Sequence, residues 1–249
     1  MKTNSEQPAT SAEANDSRTA SDKAVVCKEL LGRVLVACEY SGVVRDAFAA
    51  LGWDAWSCDL LPSETPGNHI QGDVLEILDD GWDMMIAHPP CTFLSNSGAR
   101  WLFEKEGRWK QLDDGCDFFK KLLNAPIKYI AVENPWPHKW AMQRIGKKPC
   151  CKVQPHEFGD KQKKKTCLWL KNLPPLMPTT YYQVPPSGSE ESKAWEMVWR
   201  MPPGKNQAHE RARTFAGIAG AMANQWTLAT RPNAKLTALP DDQSKPPTT

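Results

Sequence analysis

The sequence lacks any long apolar run, and no segment approaches the roughly 20 residues that a membrane-spanning helix needs. Residues 1–23 also lack the apolar core of a secretory signal, so a cytoplasmic protein is expected. No Cys-x-x-Cys pair occurs among the eight cysteines, which argues against a disulfide framework or a zinc module. No metal site is expected either, because no familiar zinc spacing joins His138, Cys150, Cys151 and His156.

A strong overall charge is also missing, since 31 Lys and Arg against 29 Asp and Glu leave a net charge of +2. The charge is unevenly distributed along the chain. The segment from Arg144 to Lys171 contains nine basic and two acidic residues, a local excess of seven positive charges. Such a segment is either a phosphate-facing patch or a solvated lysine-rich loop, and charge alone leaves both open.

A length of 249 residues allows one sizeable domain. Residues 1–24 and 231–249 are polar and are predicted to be disordered, which leaves 25–230 as the folded part. Between the tails, short apolar runs alternate with helical patterns. The predicted strands are Arg33–Cys38, Asp54–Cys58, Asp83–Ala87, Lys128–Val132 and Thr166–Leu170. The predicted helices are Val43–Leu51, Gly107–Leu123 and a closing helix whose apolar face runs from Ala212 through Phe215 to Trp226. This alternation predicts an α/β fold, with a mostly parallel sheet and helices on both faces.

Ligands of such sheets bind beyond the carboxyl ends of the strands, so those ends are where chemistry is expected. The first strand is followed by Tyr40-Ser41-Gly42, a turn that lets a ligand approach the next helix. Asp59 and Asp73 follow later strand ends, where an acid commonly accepts hydrogen bonds from ribose hydroxyls. Each of these residues alone also fits a turn or a cap. Their order and spacing favour a nucleoside-bearing cofactor.

Two further strand ends carry reactive side chains. Pro89 and Pro90 end one strand and form a rigid loop that displays Cys91. A free cysteine is usually a small buried apolar residue, but this position suits a nucleophile. Glu133 follows a neighbouring strand, either as an acid or base or as part of a salt bridge or cap. Parallel strands would bring the thiol and the carboxylate to one edge of the sheet.

The order of these motifs resembles the cytosine-C5 DNA methyltransferases, with the small phage-type members as the nearest match. Pro89-Pro90-Cys91 looks like the catalytic Pro-Pro-Cys motif, and Glu133-Asn134-Pro135 looks like Glu-Asn-Val with Pro in place of Val. Tyr40-Ser41-Gly42 looks like the Phe-x-Gly-x-Gly cofactor loop, although Val44 replaces the second Gly. The segment from Phe158 to Thr166 is similar to Phe-Gly-x-x-Gln-x-Arg-x-Arg.

The resemblance implies the Rossmann-like fold of S-adenosylmethionine-dependent methyltransferases and that cofactor. It implies catalysis by Cys91, which adds to C6 of cytosine as a thiolate, and by Glu133, which contacts N3 and the amino group. The expected cofactor contacts are Tyr40, Ser41, Gly42, Asp59, Asp73 and Pro89. The expected DNA contacts are Gln162, Lys163, Lys164, Lys165 and Arg100. The target base would be flipped out of the duplex, in the cytosol of a bacterium or a phage-infected host.

Two departures from the family are informative. In the Gln-x-Arg-x-Arg segment, Lys164 replaces the first Arg and Thr166 replaces the second, so a neighbouring lysine would have to help hold the cytosine. A Pro-rich insert at 172–210 stands where the family carries a target-recognition domain, and it is too short for one, which predicts short or relaxed selectivity. Three alternatives stay open: action on RNA, a degenerate fold that binds without catalysis, and transfer of another group.

Overall fold

The computed structural model describes residues 30–202, 204 and 207–231. The predicted disordered segments 1–24 and 231–249 lie outside this range apart from Arg231. Within it, seven strands form one sheet in the order β3-β2-β1-β4-β5-β7-β6. The strands are β1 (Arg33–Ala37), β2 (Asp54–Asp59), β3 (His69–Gln71), β4 (Met84–Ala87), β5 (Tyr129–Asn134), β6 (Cys151–Val153) and β7 (Thr166–Lys171).

The first five strands of the sheet are parallel. β7 runs antiparallel to β5, and β6 runs antiparallel to β7. The carboxyl ends of β1, β4 and β5 therefore meet the beginning of β7 at one edge. The prediction of a mostly parallel sheet is confirmed.

Helices cover both faces of the sheet. They are α1 (Val43–Ala50), α2 (Trp101–Glu104), α3 (Arg108–Leu123), α4 (Lys139–Ile145), α5 (Glu190–Trp195), α6 (Met197–Arg200), α7 (Gln207–Ala212) and α8 (Ala216–Thr230). Strand residues alternate between two buried apolar clusters. Leu35 and Met85 pack with α3 and α4, whereas Val34 and Met84 pack with α1 and α8. No helix in the described part of the chain combines the length and apolar character needed to cross a membrane.

Two predicted boundaries are wrong, and both concern the edge where the chemistry is expected. β5 does not end at Val132. It continues through Glu133 and Asn134, because both residues pair with β7, and Pro135 then ends the strand. The closing helix is two helices, since residues 213–215 interrupt it. The carbonyl oxygen of Arg213 accepts a hydrogen bond from Lys164 Nζ at 2.9 Å.

The N-terminal end of α8 packs against the segment 158–160. The Asp160 carboxylate accepts a hydrogen bond from the Gly217 amide at 3.0 Å, which satisfies one of the unpaired donors of the helix. A Cβ atom added at Gly217 would overlap the carbonyl oxygen of Phe158, whereas one added at Gly220 would meet nothing within 4 Å.

This difference gives a matched pair of substitutions in one helix. We expect Gly217→Ala to lower the free energy of unfolding by about 1–3 kcal/mol, because the overlap forces α8 away from the segment 158–160. Gly220→Ala should instead raise it by about 0.5–1 kcal/mol through helix propensity. Urea denaturation of both variants measures the effects. Equal effects of the two substitutions would contradict the close packing of α8 against the segment 158–160.

Candidate functional site

A cleft lies at the edge of the sheet where β1, β4 and β5 end. Its walls come from the segments that follow β1 and β4, from the end of β5, from Lys164 ahead of β7, and from the connection between α7 and α8. The lining residues are Cys38, Glu39, Tyr40, Ser41, His88, Pro89, Pro90, Cys91, Glu133, Asn134, Pro135, Lys164, Arg211, Ala212, Arg213 and Thr214. Five residues predicted to act in catalysis or cofactor binding thus share one cleft: Cys91, Glu133, Tyr40, Ser41 and Pro89.

The loop that carries Cys91 is fixed by hydrogen bonds to its neighbours. Asn134 Nδ2 donates to the Pro89 carbonyl oxygen at 2.8 Å, which ties the loop to the end of β5. The amides of Leu94 and Ser95 donate to the Cys91 carbonyl oxygen at 3.0 and 2.9 Å. Because Pro89 and Pro90 have fixed φ angles, these bonds hold Cys91 at the cleft.

The continuation of this loop packs away from the cleft. Arg108 donates to the Thr92 carbonyl oxygen at 3.0 Å, and the His138 amide donates to that of Leu94 at 2.9 Å. Arg100, a predicted DNA contact, lies with its guanidinium carbon 4.2 Å from the centre of the Trp101 ring. Neither residue lines the cleft, and Trp101 is half-buried.

Glu133 is largely enclosed and lies in a network of donors. Burial alone would raise the pKa of its carboxyl. A hydrogen bond from His88, the charge of Lys164 and a hydrogen bond from Thr166 outweigh that effect and lower the pKa below its ordinary value. His88 Nδ1 lies 3.1 Å from Glu133 Oε2. The carboxylate is therefore ionised at neutral pH and acts as an acceptor.

The state of Cys91 differs from the sequence-based expectation of a thiolate. Burial raises the pKa of the Cys91 thiol, and the negative charge of Glu133 raises it further. Lys164, the backbone of the loop and Arg211 oppose this shift without reversing it. At neutral pH the free protein therefore holds a neutral thiol beside an ionised carboxylate, and its proton must leave before sulfur can attack.

The turn after β1 carries a buried acid at the N-terminus of α1. Glu39 accepts hydrogen bonds from the amides of Val44 at 2.7 Å and Arg45 at 3.2 Å. The carboxylate thereby occupies the place where a dinucleotide would put its pyrophosphate. Gly42 closes this turn with a φ of 75° but does not line the cleft, and a Cβ there would overlap the Thr65 hydroxyl. The role of Gly42 seen in the structure is to form the turn.

Asp59 and Asp73, two predicted cofactor contacts, do not line the cleft. Both raise the pKa of the Cys38 thiol, after the larger effect of burial, so both carboxylates stand near a residue that lines the cleft. One oxygen of each accepts a local amide, from Leu61 or from Leu75, at 2.9 Å. Cys38 itself has a φ of 59°, a conformation that non-glycine residues seldom adopt.

The basic segment ahead of β7 divides into different roles. Lys164 lines the cleft. Lys163 Nζ instead donates to Ser192 Oγ at 2.7 Å and pairs with Glu196 at 3.4 Å, which anchors the insert at 172–210. Gln162 and Lys165 do not line the cleft. Thr166 is buried and hydrogen-bonds Glu133, so the residue in place of the second Arg contacts the carboxylate.

Sequence reasoning missed three residues of this site: Glu39, His88 and Arg211. Glu39 lies two residues after the end of β1, and an acidic residue just before the turn at Gly42 was an available signal. His88 precedes the two prolines, but nothing local shows that its ring reaches β5. Arg211 comes from a helix far along the chain, and its charge acts on Cys91. Its guanidinium carbon lies 5.5 Å from the centre of the Trp199 ring.

Among the described residues, no group of three or more His, Cys, Asp or Glu side chains could hold a metal ion. No protein-family model matches the sequence, and no curated protein matches it either. A crystal structure of a provisionally assigned DNA modification methyltransferase, encoded within an E. coli prophage, is similar at 17% identity with a TM-score of 0.41. The match covers 61% of this chain and 52% of that chain, so it spans about half of that protein. The parallel order β3-β2-β1-β4-β5 followed by antiparallel β7, with helices on both faces, is a Rossmann-like α/β fold.

Proposed function

We propose that the protein is a DNA cytosine-C5 methyltransferase that uses S-adenosylmethionine. The observation that carries the proposal is the pairing of Cys91 and Glu133. They come from the ends of the adjacent parallel strands β4 and β5 and line one cleft. A thiol and an ionised carboxylate in mutual electrostatic contact suit addition of sulfur to an electron-poor ring with proton transfer alongside.

The chemistry assigned to these residues balances in protons and electrons. Sulfur of Cys91 forms a bond to C6, the C5–C6 π electrons shift through the ring, and N3 gains a proton. The thiol loses one proton in the same process, and Glu133 is the carboxylate placed to take it and hand it to N3. Carbon 5 is then nucleophilic. S-adenosylmethionine would supply the methyl group as an electrophile and would leave as the neutral thioether. After the methyl group is on C5, a base removes the C5 proton, and the C5–H electron pair reforms the C5–C6 double bond as sulfur leaves with the C6–S pair. N3 then returns its proton through Glu133 to the departing sulfur, which restores the thiol.

The residues of the cleft fit the proposed cofactor. Glu39 fills the N-terminus of α1, which disfavours a dinucleotide with its phosphates and suits an adenosyl group without them. Asp59 and Asp73 would accept hydrogen bonds from ribose and amino groups. Tyr40, Ser41 and Pro89 would form the wall beside them. S-adenosylmethionine supplies a methyl group on a positively charged sulfur, which favours a site that already contains carboxylates.

DNA is proposed as the substrate because two cations line the cleft and an exposed aromatic ring lies beside one of them. The cations are Lys164 and Arg211, and the Trp199 ring beside Arg211 is 53% exposed. Cations bind phosphates and exposed aromatic rings stack on bases. C6 of cytosine is inaccessible in a stacked duplex, so the base must be flipped out or already single-stranded.

The test is nucleoside analysis after reaction. Purified protein is incubated with unmethylated plasmid DNA, or with an RNA pool, and S-adenosylmethionine carrying a labelled methyl group. We expect labelled 5-methylcytosine from DNA by mass spectrometry of the digested nucleosides. Label on adenine, label only on RNA, or no label on any nucleoside would refute the proposal.

The proposed DNA contact of Arg211 has a matched control. Arg211→Gln should weaken DNA binding. It should also make the negative slope of log affinity against log salt shallower by about 0.9, which corresponds to the loss of one phosphate contact. Lys128 is another cation on an aromatic ring, 4.8 Å from the centre of the Tyr129 ring, but it lies at the opposite edge of the sheet. Lys128→Gln should leave the slope unchanged. Fluorescence anisotropy over a salt series measures both, and equal slopes for the two variants would contradict this role of Arg211.

A further inference from the structure

The ring of His88 is directed at the carboxylate to which the reaction assigns proton transfer. Its Nδ1 lies 3.1 Å from Glu133 Oε2, and the two side chains are 8% and 13% exposed. Its backbone amide donates to the Ala37 carbonyl oxygen at 2.9 Å, and Pro89 and Pro90 follow directly. The chain on both sides of His88 is thus fixed, and the ring has little freedom to leave Glu133.

The ring nitrogen that faces Glu133 is identified by its partner. An ionised carboxylate can only accept hydrogen bonds, so Nδ1 of His88 carries the hydrogen. In the neutral ring this tautomer leaves Nε2 without a hydrogen. That nitrogen is buried and has no hydrogen-bond partner among the described residues. The ring therefore uses one nitrogen for Glu133, and its second nitrogen makes no structural bond there.

Other groups also face Glu133, and they differ in kind from His88. Cys91 comes from the same loop, and Lys164, Thr166 and Cys167 come from the β7 side. Lys164 is also bonded to the Arg213 carbonyl oxygen at 2.9 Å. Among these groups, His88 forms a charge-assisted hydrogen bond to one identified oxygen, Glu133 Oε2. This bond fixes the orientation of the Glu133 carboxylate as well as stabilising its negative charge.

We propose that His88 is a positioning residue for the reaction: its Nδ1–H holds Glu133 Oε2 and aims the other carboxylate oxygen at the pyrimidine ring. The inference rests on the proposed function, in which Glu133 carries the proton from Cys91 to N3. Without the hydrogen bond from His88, the Glu133 carboxylate would rotate and would face N3 in only some of its orientations. Loss of this bond should therefore lower the rate of the chemical step strongly and change the affinity for substrate little.

Two substitutions separate this role from simple packing. His88→Leu removes the donor and keeps an apolar side chain of similar bulk, whereas His88→Asn keeps an N–H donor that does not titrate. We expect His88→Leu to lower kcat by about 10²-fold with KM changed by less than about threefold. His88→Asn should recover most of kcat.

The acid limb of the pH profile gives a readout that packing alone would not move. The bond from His88 favours the ionised carboxylate and lowers the pKa of Glu133. Its removal in His88→Leu raises that pKa, so activity is lost at a higher pH as the solution is acidified. We expect the limb to move up by about one pH unit, and to stay near the wild-type position in His88→Asn.

The Glu133 titration is also measured without any reaction, by NMR of protein labelled with ¹³C at the Glu carboxyl, with Glu133→Gln identifying the signal. A higher midpoint in His88→Leu supports the proposal, and an unchanged midpoint in that folded variant overturns it. If wild-type protein forms no 5-methylcytosine while the midpoint still moves, the proposed function fails and the coupling of His88 to Glu133 stands. If the Leu variant has no cooperative thermal transition, His88→Ala replaces it, and added imidazole should then restore the wild-type midpoint.

Discussion

Replacement of Cys91 by Ser should abolish formation of 5-methylcytosine, with a loss of at least about 10³-fold in kcat. A serine hydroxyl is far less acidic than a thiol, so it stays protonated and is a poor nucleophile. The ionised carboxylate of Glu133 also disfavours a second negative charge in the site. The fold should be unaffected, because Cys91 is only half-buried and the hydrogen bonds that hold its loop are accepted by backbone carbonyl oxygens rather than by the thiol.

The control for this substitution is another cysteine. Cys150 is exposed and lies outside the cleft, so Cys150→Ser should keep wild-type activity. Incorporation of labelled methyl into DNA measures both variants. Methyl transfer that survives in Cys91→Ser at more than a few per cent of wild type would exclude a covalent role for this thiol.

Replacement of Glu133 by Gln should change activity and thiol reactivity in opposite directions. We expect kcat to fall by about 10²–10³-fold, because the amide cannot take a proton from sulfur and pass it to N3. The charge of Glu133 raises the pKa of the Cys91 thiol. Removing that charge lowers the pKa, so at a fixed pH near neutrality more thiolate is present and alkylation of Cys91 becomes faster.

Alkylation with iodoacetamide, followed by mass spectrometry of the Cys91 peptide, measures the second effect. The exposed Cys150 serves as an internal standard whose rate should not change. An inactive Glu133→Gln variant with unaltered Cys91 reactivity would contradict the electrostatic contact between the two residues. A variant with faster alkylation and full methyl transfer would remove Glu133 from the chemistry.

The sequence was sufficient for the parts of the site that local chemistry determines. Pro89 and Pro90 cannot continue a strand, so Cys91 had to stand on a loop at a strand end. Parallel strands place such ends together, and Cys91 and Glu133 do line one cleft. The core strands were also predictable, because fully buried strands are almost continuously apolar.

The features that the sequence did not predict depend on contacts between segments that are distant along the chain. The extension of β5 through Glu133 and Asn134 requires β7 as a partner, and pairing across some 35 residues leaves no local signal. The interruption between α7 and α8 depends on Lys164 and on an ion pair between Arg213 and Glu64. Apolar periodicity alone continues through it, which is why one helix was predicted.

The protonation states could not be read from the sequence for the same reason. A thiol beside prolines is expected to be reactive, but the pKa of Cys91 is set by burial and by Glu133. Lys163 and Lys164 are neighbours in an apparently uniform lysine run. One pairs with Glu196 and the other lines the cleft. Their different roles follow from the position of the insert at 172–210, which composition does not determine.

The central claim is that Cys91 forms a covalent bond to the target cytosine, and a trapped adduct tests it most directly. Oligonucleotides with 5-fluorocytosine in varied sequence contexts are incubated with the protein and S-adenosylmethionine. Fluorine at C5 cannot be removed as a proton, so sulfur cannot leave and the adduct persists. Peptide mass spectrometry should find the modified nucleotide on Cys91, with none formed by Cys91→Ser. A nucleotide bound to another residue, or no adduct from a protein that methylates cytosine, would contradict the account.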